Sequence, residues 1–519
     1  MKILRTPAMK IALILGAMLM LATTVWAAGG GQWLTAGQNR DNSRYQKTES
    51  KIAANNVAGL APSWIANTGG DVSATPAVDG DAVYFPDFAG NLFKLDRQSG
   101  ATIWQKSIGA DYTGIPGNFA RATPAVYEGM LYFGDQGGRL FAGARMMAVD
   151  AVTGDLVWST QVGNHPAAIV TQSATVFDGV VYVGVASFEE LLAAVVPGYE
   201  CCSFQGSMMA LDAFTGQILW QTSMAPEGYS GNAIWGSTPV IDTKRNTLYV
   251  ATGNNYSVPE DVSQCIIAAG DDEAAQRACL DPSNYFDSVV ALDMQSGAVK
   301  WSTQVIPFDT WTVSCLFGLP TCPDPAGPDF DFGQAPILYY DKVSKMDLLG
   351  IGQKSGQFWT LNPENGEIVF ATQVGPGGEL GGIMWGSAYD GRRLYTTIAN
   401  SRNEPWQLVD GSVTNGGGWS ALDPSTGEIL WQTADPEGAA AMGAVSAANG
   451  LLFGCSMDSL GHMYALDGAT GEILWSFVSG GSCNAGAAIV NGTVYWGSGY
   501  GSLGPQYTTN DKFFAFTLP

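Results

Sequence analysis

One phrase recurs along this chain and constrains its fold more than any other feature: an apolar strand, Asp, two residues, Ser/Thr-Gly, three residues and Trp. Copies run from Leu95 to Trp104, Val149 to Trp158, Leu211 to Trp220, Leu292 to Trp301, Leu422 to Trp431 and Leu466 to Trp475, and a degenerate one from Leu361 to Phe370. Between copies, segments such as SATPAVDGDAVYF and AAIVNGTVYWG read as strand, Gly-containing hairpin and strand. Each unit supplies four strands, with Asp capping its turn and Gly taking positive φ. The Trp is an apolar plate too large for one sheet to bury, so it wedges against a neighbouring sheet. Trp64 reads as an eighth such residue, its sheet completed by residues 513–518. The expectation is all-β: one eight-bladed propeller over residues 28–519, closed by pairing its N- and C-terminal strands.

The 66 Gly and 25 Pro, with only 14% charged residues, suit short strands and tight turns and exclude helical bundles. A net charge of −23 excludes nucleic acid and anionic membrane surfaces as partners. Lys2, Arg5 and Lys10, the apolar run from Ile11 to Val25 and then Ala27 and Ala28 follow the order of a secretory signal peptide over residues 1–27. An uncleaved anchor is the alternative, for which the run is short. Cleavage leaves no membrane span and points to the periplasm. In that oxidising compartment eight cysteines form bridges by default, and Cys265 with Cys279 and Cys315 with Cys322 are placed to staple long loops. With two histidines and no CxxCH, a multi-His zinc site and a covalent c-type haem are excluded.

The repeat aromatics stand between 40 and 81 residues apart. The surplus falls at residues 188–206, 255–286 and 305–332, which carry six of the eight cysteines and so mark a functional face.

With the repeats and these loops on the page, the chain resembles the pyrroloquinoline quinone (PQQ) dependent, or quinoprotein, alcohol dehydrogenases, and most of all their polyvinyl alcohol dehydrogenase branch. The resemblance implies that Cys201-Cys202 forms a vicinal disulfide against one face of the quinone, with Trp235 of AIWGSTPVID covering the other. Trans geometry would set those two Cα atoms about 3.8 Å apart. In the methanol-oxidising relatives the pair lies a blade earlier. Glu190 of VASFEE and Asn254 of TGNNY match the family's calcium ligands, oxygen donors suited to a hard cation, with Glu189 and Asn255 as adjacent competitors. The family's base is an Asp following the Trp of PxDxWD. Here PFDTWT has Thr312 at that position, so Asp309 is taken as base and third metal ligand, with Asp329 and Asp331 as substitutes. Arg121 matches the residue that pairs with a cofactor carboxylate, and Thr171 and Ser187 could bond the same group. Lys354 stands where the family places a cation near the quinone oxygen. Asn400 matches a further polar contact, and Trp385 and Trp419 are candidates for the central face.

The expected activity is oxidation of alcohols, secondary and polymeric ones included, by PQQ and calcium. Without its own haem the protein would pass electrons to an external acceptor such as cytochrome c. Two rivals remain: a PQQ-dependent sugar or aldehyde dehydrogenase, and a non-enzymatic envelope scaffold on the same repeats.

Overall fold

The computed structural model describes residues 31–138, 142–236 and 238–519. The expected signal peptide therefore lies outside the described residues. Eight blades of four antiparallel strands follow the repeats, with Ala168–Ile169 added to blade 3 and Tyr45–Gln46 added in parallel to blade 7: residues 77–107, 125–163, 175–223, 240–304, 337–373, 388–434 and 446–478 form blades 1 to 7. In blade 8, Ala488–Val490, Thr493–Gly497 and Lys512–Thr517 are joined by Ala61–Asn67, with Ala61 opposite Thr517 and Asn67 opposite Lys512. This pairing brings a strand that precedes blade 1 into the same sheet as the last strands of the chain.

The blades are locked together by the repeat residues. Trp158, Trp220, Trp301 and Trp431 donate their indole N–H to the carbonyl of the residue after the turn Asp (Asn362 in the degenerate copy) of the next blade, at 2.8, 3.0, 3.2 and 3.1 Å. In three of these junctions a Tyr hydroxyl from the second strand donates to the same carbonyl, as Tyr182, Tyr249 and Tyr395 do to Met294, Pro363 and Gly468. Each such junction satisfies buried polar groups while burying a large apolar face. Blade 1 departs from the pattern: Lys94 takes the carbonyl of Ala151 at 2.8 Å, and the buried Trp104 indole N–H has no hydrogen-bond partner among the described residues.

The segment before blade 1, to which the repeats assign no role, forms a belt around the inside of the ring. Leu34, Arg40, Asp41, Ser43 and Arg44 offer backbone carbonyls to the amides of Val126, Ile241, Leu338, Tyr389 and Ala447, on five different blades. Trp33 exchanges both backbone bonds with Val78 of blade 1, and Gln46 Nε2 reaches the carbonyl of Ile489 in blade 8. Inner-strand groups that would face an open channel are paired by this one stretch.

The three surplus loops pack on one another. Thr321 donates to the Ala193 carbonyl on the helix Glu189–Val195 at 2.9 Å, and Ser257 donates to the Cys202 carbonyl at 3.4 Å. Disulfides join Cys201 to Cys202, Cys265 to Cys279, Cys315 to Cys322 and Cys455 to Cys483. The last pair, between neighbouring blades, is one the spacing left open. The Cys201–Cys202 peptide is cis with Cα atoms 3.1 Å apart, which corrects the trans expectation. Among the described residues no helix is long and apolar enough to cross a membrane.

Candidate functional site

Trp235 lies on the connection from blade 3 into the first strand of blade 4, Val240–Asp242, and is fixed from several sides. Its carbonyl accepts the Thr171 hydroxyl at 2.6 Å, its indole N–H donates to Asp331 Oδ2 at 2.9 Å, and Trp385 meets it edge-on with centroids 5.4 Å apart. A Cβ on Gly333 would lie 2.7 Å from its ring, so that position admits only glycine without displacement of the indole. Cys202 and Trp235 are both half-buried against the same apolar cluster, which includes Val183, Val185, Phe204 and Tyr256. The vicinal disulfide and the indole thus border one region of the molecule.

Beside Trp235 lies a buried charged nest. Lys354 Nζ is 2.9 Å from Asp329 Oδ1 and 3.1 Å from Asp331 Oδ2, and stands 5.4 Å from the centroid of the Trp235 ring. Burial lowers the Lys354 pKa, but Asp329, Asp331 and Glu190 outweigh it and hold the ammonium charged. Asp331 Oδ1 accepts the Asn254 amide at 2.7 Å. Asp331 therefore ties indole, ammonium and the Asn254 backbone together.

The structure separates the competing ligand candidates. Glu189 is fully buried and spent on the segment after the disulfide, accepting the amides of Ser203 and Phe204 at 2.9 and 2.7 Å. Glu190 accepts no hydrogen bond from a described residue, and burial, with Asp331 and Asp309 acting against Lys354, pushes its pKa up to about 7. Asn255 is likewise consumed, bonding Asn232 and Asn284 at 2.6 and 2.8 Å. Asn254 donates its Nδ2 to the carbonyls of Asn255 and Trp311, both at 2.8 Å, while its Oδ1 accepts nothing from a described residue. Glu190 and Asn254 are thus the oxygen donors left uncommitted.

Asp309 is fully buried and accepts the amides of Asp329 and Phe330 at 3.1 and 2.7 Å. Burial, outweighing those bonds, pushes its pKa up to about 7. Beside it Asp287, which sequence reasoning missed, is held well above the carboxylate range by burial and by Asp309. Tyr256, also missed, is buried in the same region with Glu190 raising its pKa further. Only its position two residues past Asn254, in the short strand Asn255–Ser257, could have flagged it. Among the described residues no group of three or more His, Cys, Asp or Glu is arranged to hold a metal by itself.

Other predicted residues stand apart from this nest. Arg121 contacts the Tyr500 hydroxyl and faces the rings of Phe88, Trp385 and Tyr500. Ser187 accepts the Glu189 amide at 3.2 Å and so holds the start of the helix. Asn400 is spent on its own loop, donating to Glu404 and Asn415 and accepting the Glu404 amide. Trp419 is 0% exposed within the cluster between blades 6 and 7, packed edge-on to Tyr464, which corrects its placement on the central face.

Fold and site together define a tryptophan-docked propeller carrying a disulfide, an indole and a buried Lys–carboxylate nest on its looped side. Residues 48–303 and 350–504 match the family model described as outer membrane protein assembly factor BamB, PQQ_2, and the chain belongs to that family. It is similar to the polyvinylalcohol dehydrogenase of Sphingopyxis sp. (strain 113P3), 31% identical over 79% of this chain and 60% of that protein. It is also similar to the polyvinylalcohol dehydrogenase of Pseudomonas sp, 28% identical over 92% of this chain and 74% of that protein. The solved quinohemoprotein alcohol dehydrogenase from Comamonas testosteroni shares the fold with a TM-score of 0.70 at 20% identity, covering 95% of this chain and 81% of that one.

Proposed function

We propose that the chain is a quinoprotein alcohol dehydrogenase that oxidises the CH–OH group of secondary alcohols, polymeric ones included, in the periplasm. The observation that carries this reading is the convergence of Cys202 and Trp235 on one cluster beside Lys354 and its carboxylates. The residues fit the implied groups: a flat ring stacks well between polarizable sulfur and indole, and Arg121 carries no carboxylate partner among the described residues. Bound PQQ would supply the two-electron oxidation that no side chain here can perform.

The chain's own contributions are positioning, charge and proton handling. Trp235, fixed by Asp331, Thr171 and Gly333, would give the quinone one rigid face to stack on. Glu190 and Asn254 would hold calcium, whose remaining oxygen ligands must come from outside this pair. Among the described residues the nest sets the carboxyl groups of Glu190, Asp287, Asp309, Asp329 and Asp331 around one cation, Lys354, and burial raises the pKa of the first four, so that they hold protons which a divalent ion would displace. Lys354 would polarise an oxygen placed beside it, and Asp309, its pKa near 7, would accept the substrate hydroxyl proton. Electrons would leave to an external acceptor such as cytochrome c.

Reconstitution of the purified protein with PQQ and calcium should give quinone absorbance and alcohol-dependent dye reduction. A panel of secondary alcohols, polyvinyl alcohol, sugars and aldehydes assigns the substrate. Absence of both signals would leave the scaffold reading in place. Asp309→Asn should lower turnover by at least 100-fold with cofactor uptake retained; full turnover in that variant moves the role to Asp331.

A further inference from the structure

Between blade 8 and blade 1 lies a cleft of about 560 Å³. The long loops at residues 188–206 and 255–286 join second strands to third strands. The cleft instead lies at the hairpin of residues 490–493, between a first and a second strand, and at the turn after Asp96, between a third and a fourth. In antiparallel blades these two kinds of connection stand at opposite strand ends, so the cleft opens on the face away from the candidate site. Lys51 and Arg97 line it, no described Asp or Glu does, and neither cation pairs with a carboxylate among the described residues. In a chain with 47 acidic and 24 basic residues, that lining reverses the overall balance.

Both cations are held from behind. The Arg97 carbonyl accepts the Trp64 indole N–H and the Tyr495 hydroxyl, both at 3.2 Å, and its amide donates to the Asp81 carbonyl at 2.8 Å. The junction thus fixes its backbone while its side chain borders the cleft. Lys51 lies across the hairpin at Gly492, where a Cβ would come 2.7 Å from the lysine Cδ, and its Nζ donates to the Asn491 carbonyl at 3.0 Å. The acids beside them in sequence are spent on backbone: Glu49 accepts the amides of Lys51 and Gly492 at 2.7 and 2.8 Å, and Asp96 those of Gln98 and Ser99 at 3.1 and 2.8 Å.

The repeats supply an internal comparison. The same place between blades 3 and 4 holds a cleft lined by Asp178, Val180, Leu219 and Met294. Position for position, Asn491, Thr493, Ser63 and Arg97 stand there between blades 8 and 1. An acid gives way to its amide, two aliphatic chains to hydroxyls and a thioether to a guanidinium, and all four changes favour an oxyanion. After the turn Asp or Asn, the other copies carry Ala151, Ala213, Met294, Pro363, Pro424 and Gly468. The junction uses only the carbonyl at that position, so it does not explain the charge of Arg97.

We infer that this cleft binds a small hydroxylated organic phosphate. Lys51 and Arg97 hold the phosphate, and Ser63, Thr493 and Thr517 offer hydroxyls to the rest of the molecule over a buried floor of Val490 and Tyr495. The volume exceeds the roughly 300 Å³ at which sites for organic ligands begin, and an inorganic ion would leave most of it unfilled. A single phosphate meets two local cations, whereas an extended anionic surface would meet the whole charge of −23. Ser63 and Thr517 belong to the paired strands Ala61–Asn67 and Lys512–Thr517, so the ligand ties both to blade 1 and stabilises the fold by mass action. This site goes beyond the dehydrogenase reading and stands without it.

The test titrates the purified protein, as isolated and after loading with PQQ and calcium, with glycerol 3-phosphate and with inorganic phosphate at constant ionic strength in sodium chloride. Calorimetry should show one site for glycerol 3-phosphate in both states, tighter than for inorganic phosphate, and Tm should rise saturably. Arg97→Met and Lys51→Gln should each weaken binding by about 3- to 30-fold, while Lys342→Gln on blade 5 leaves it unchanged. Absence of binding, binding lost on PQQ loading, or full affinity in both cleft variants overturns the proposal. So does co-sedimentation with phosphatidylcholine vesicles containing phosphatidic acid when glycerol 3-phosphate does not bind, which would assign the cleft to a lipid headgroup. Arg97→Met places the blade 4 residue on an unchanged backbone and Lys51 is exposed, so the two variants test the cleft independently should one fold poorly.

Discussion

Opposite each of several repeat tryptophans stands an alanine, Ala210 across from Trp220, Ala291 from Trp301, Ala421 from Trp431 and Ala465 from Trp475. The small residue before Leu-Asp makes room for the indole, so the Ala-Leu-Asp of the repeat is a packing requirement as well as a turn signal. Other single residues matter through charge. Asp435 is buried, accepts the Glu437 amide at 2.8 Å, and has one carboxylate oxygen without a hydrogen-bond partner among the described residues. Burial raises its pKa to about 6 from 3.8. The folded protein therefore binds this proton more tightly than the unfolded chain, so stability falls as pH rises from about 4 to about 6 and levels off above. Asp435→Asn should remove a fall on the order of 3 kcal/mol in that window, read by denaturant titration at pH 4 and 7. An unchanged slope would show that the carboxyl stays ionised in the fold.

Between blades, the element that matters is the turn under the neighbouring tryptophan. Gly216 has φ +72°, and a Cβ there would lie 2.6 Å from the Trp158 ring, so the turn demands glycine on two independent grounds. Trp158→Ala should cost roughly 3–5 kcal/mol as a large core truncation. Gly216→Ala should cost about 1–3 kcal/mol from backbone strain, plus a clash term. In the Trp158→Ala background the clash with the indole disappears and only that with Thr160 Oγ1 remains, so the double mutant should be more stable than the sum predicts by about 0.5–3 kcal/mol. Strict additivity would mean that the turn and the indole do not press on each other. The same elements explain the surplus loops: they rest on blades already locked, and can be shaped for binding without supporting the ring.

At the scale of the whole molecule, ring closure has two components. One is the pairing of Ala61–Asn67 with Lys512–Thr517; the other is the belt, whose carbonyls accept inner-strand amides from five blades. Deleting residues 31–46 should accelerate hydrogen exchange at the amides of Val126, Ile241, Leu338, Tyr389 and Ala447 together and lower Tm, while outer-strand amides keep their protection. Loss of protection spread evenly over inner and outer strands would instead make the belt a general determinant of folding.

The repeat determined the blades, their number and their junctions, because each copy carries a local period-two pattern and one residue too large to bury alone. It also marked the looped face and, through two motifs, Cys201-Cys202 and the Trp235 segment. Tertiary structure decided the rest. Which of Glu189 and Glu190, or of Asn254 and Asn255, keeps a free oxygen depends on partners 10 to 60 residues away, which adjacent sequence positions share equally. Trp419 reads like Trp235 along the chain, yet blade packing buries it between two sheets. The belt has no repeat at all; its role arises because a closed ring leaves inner-strand amides that some segment must satisfy, and only the folded ring shows that residues 33–46 do so.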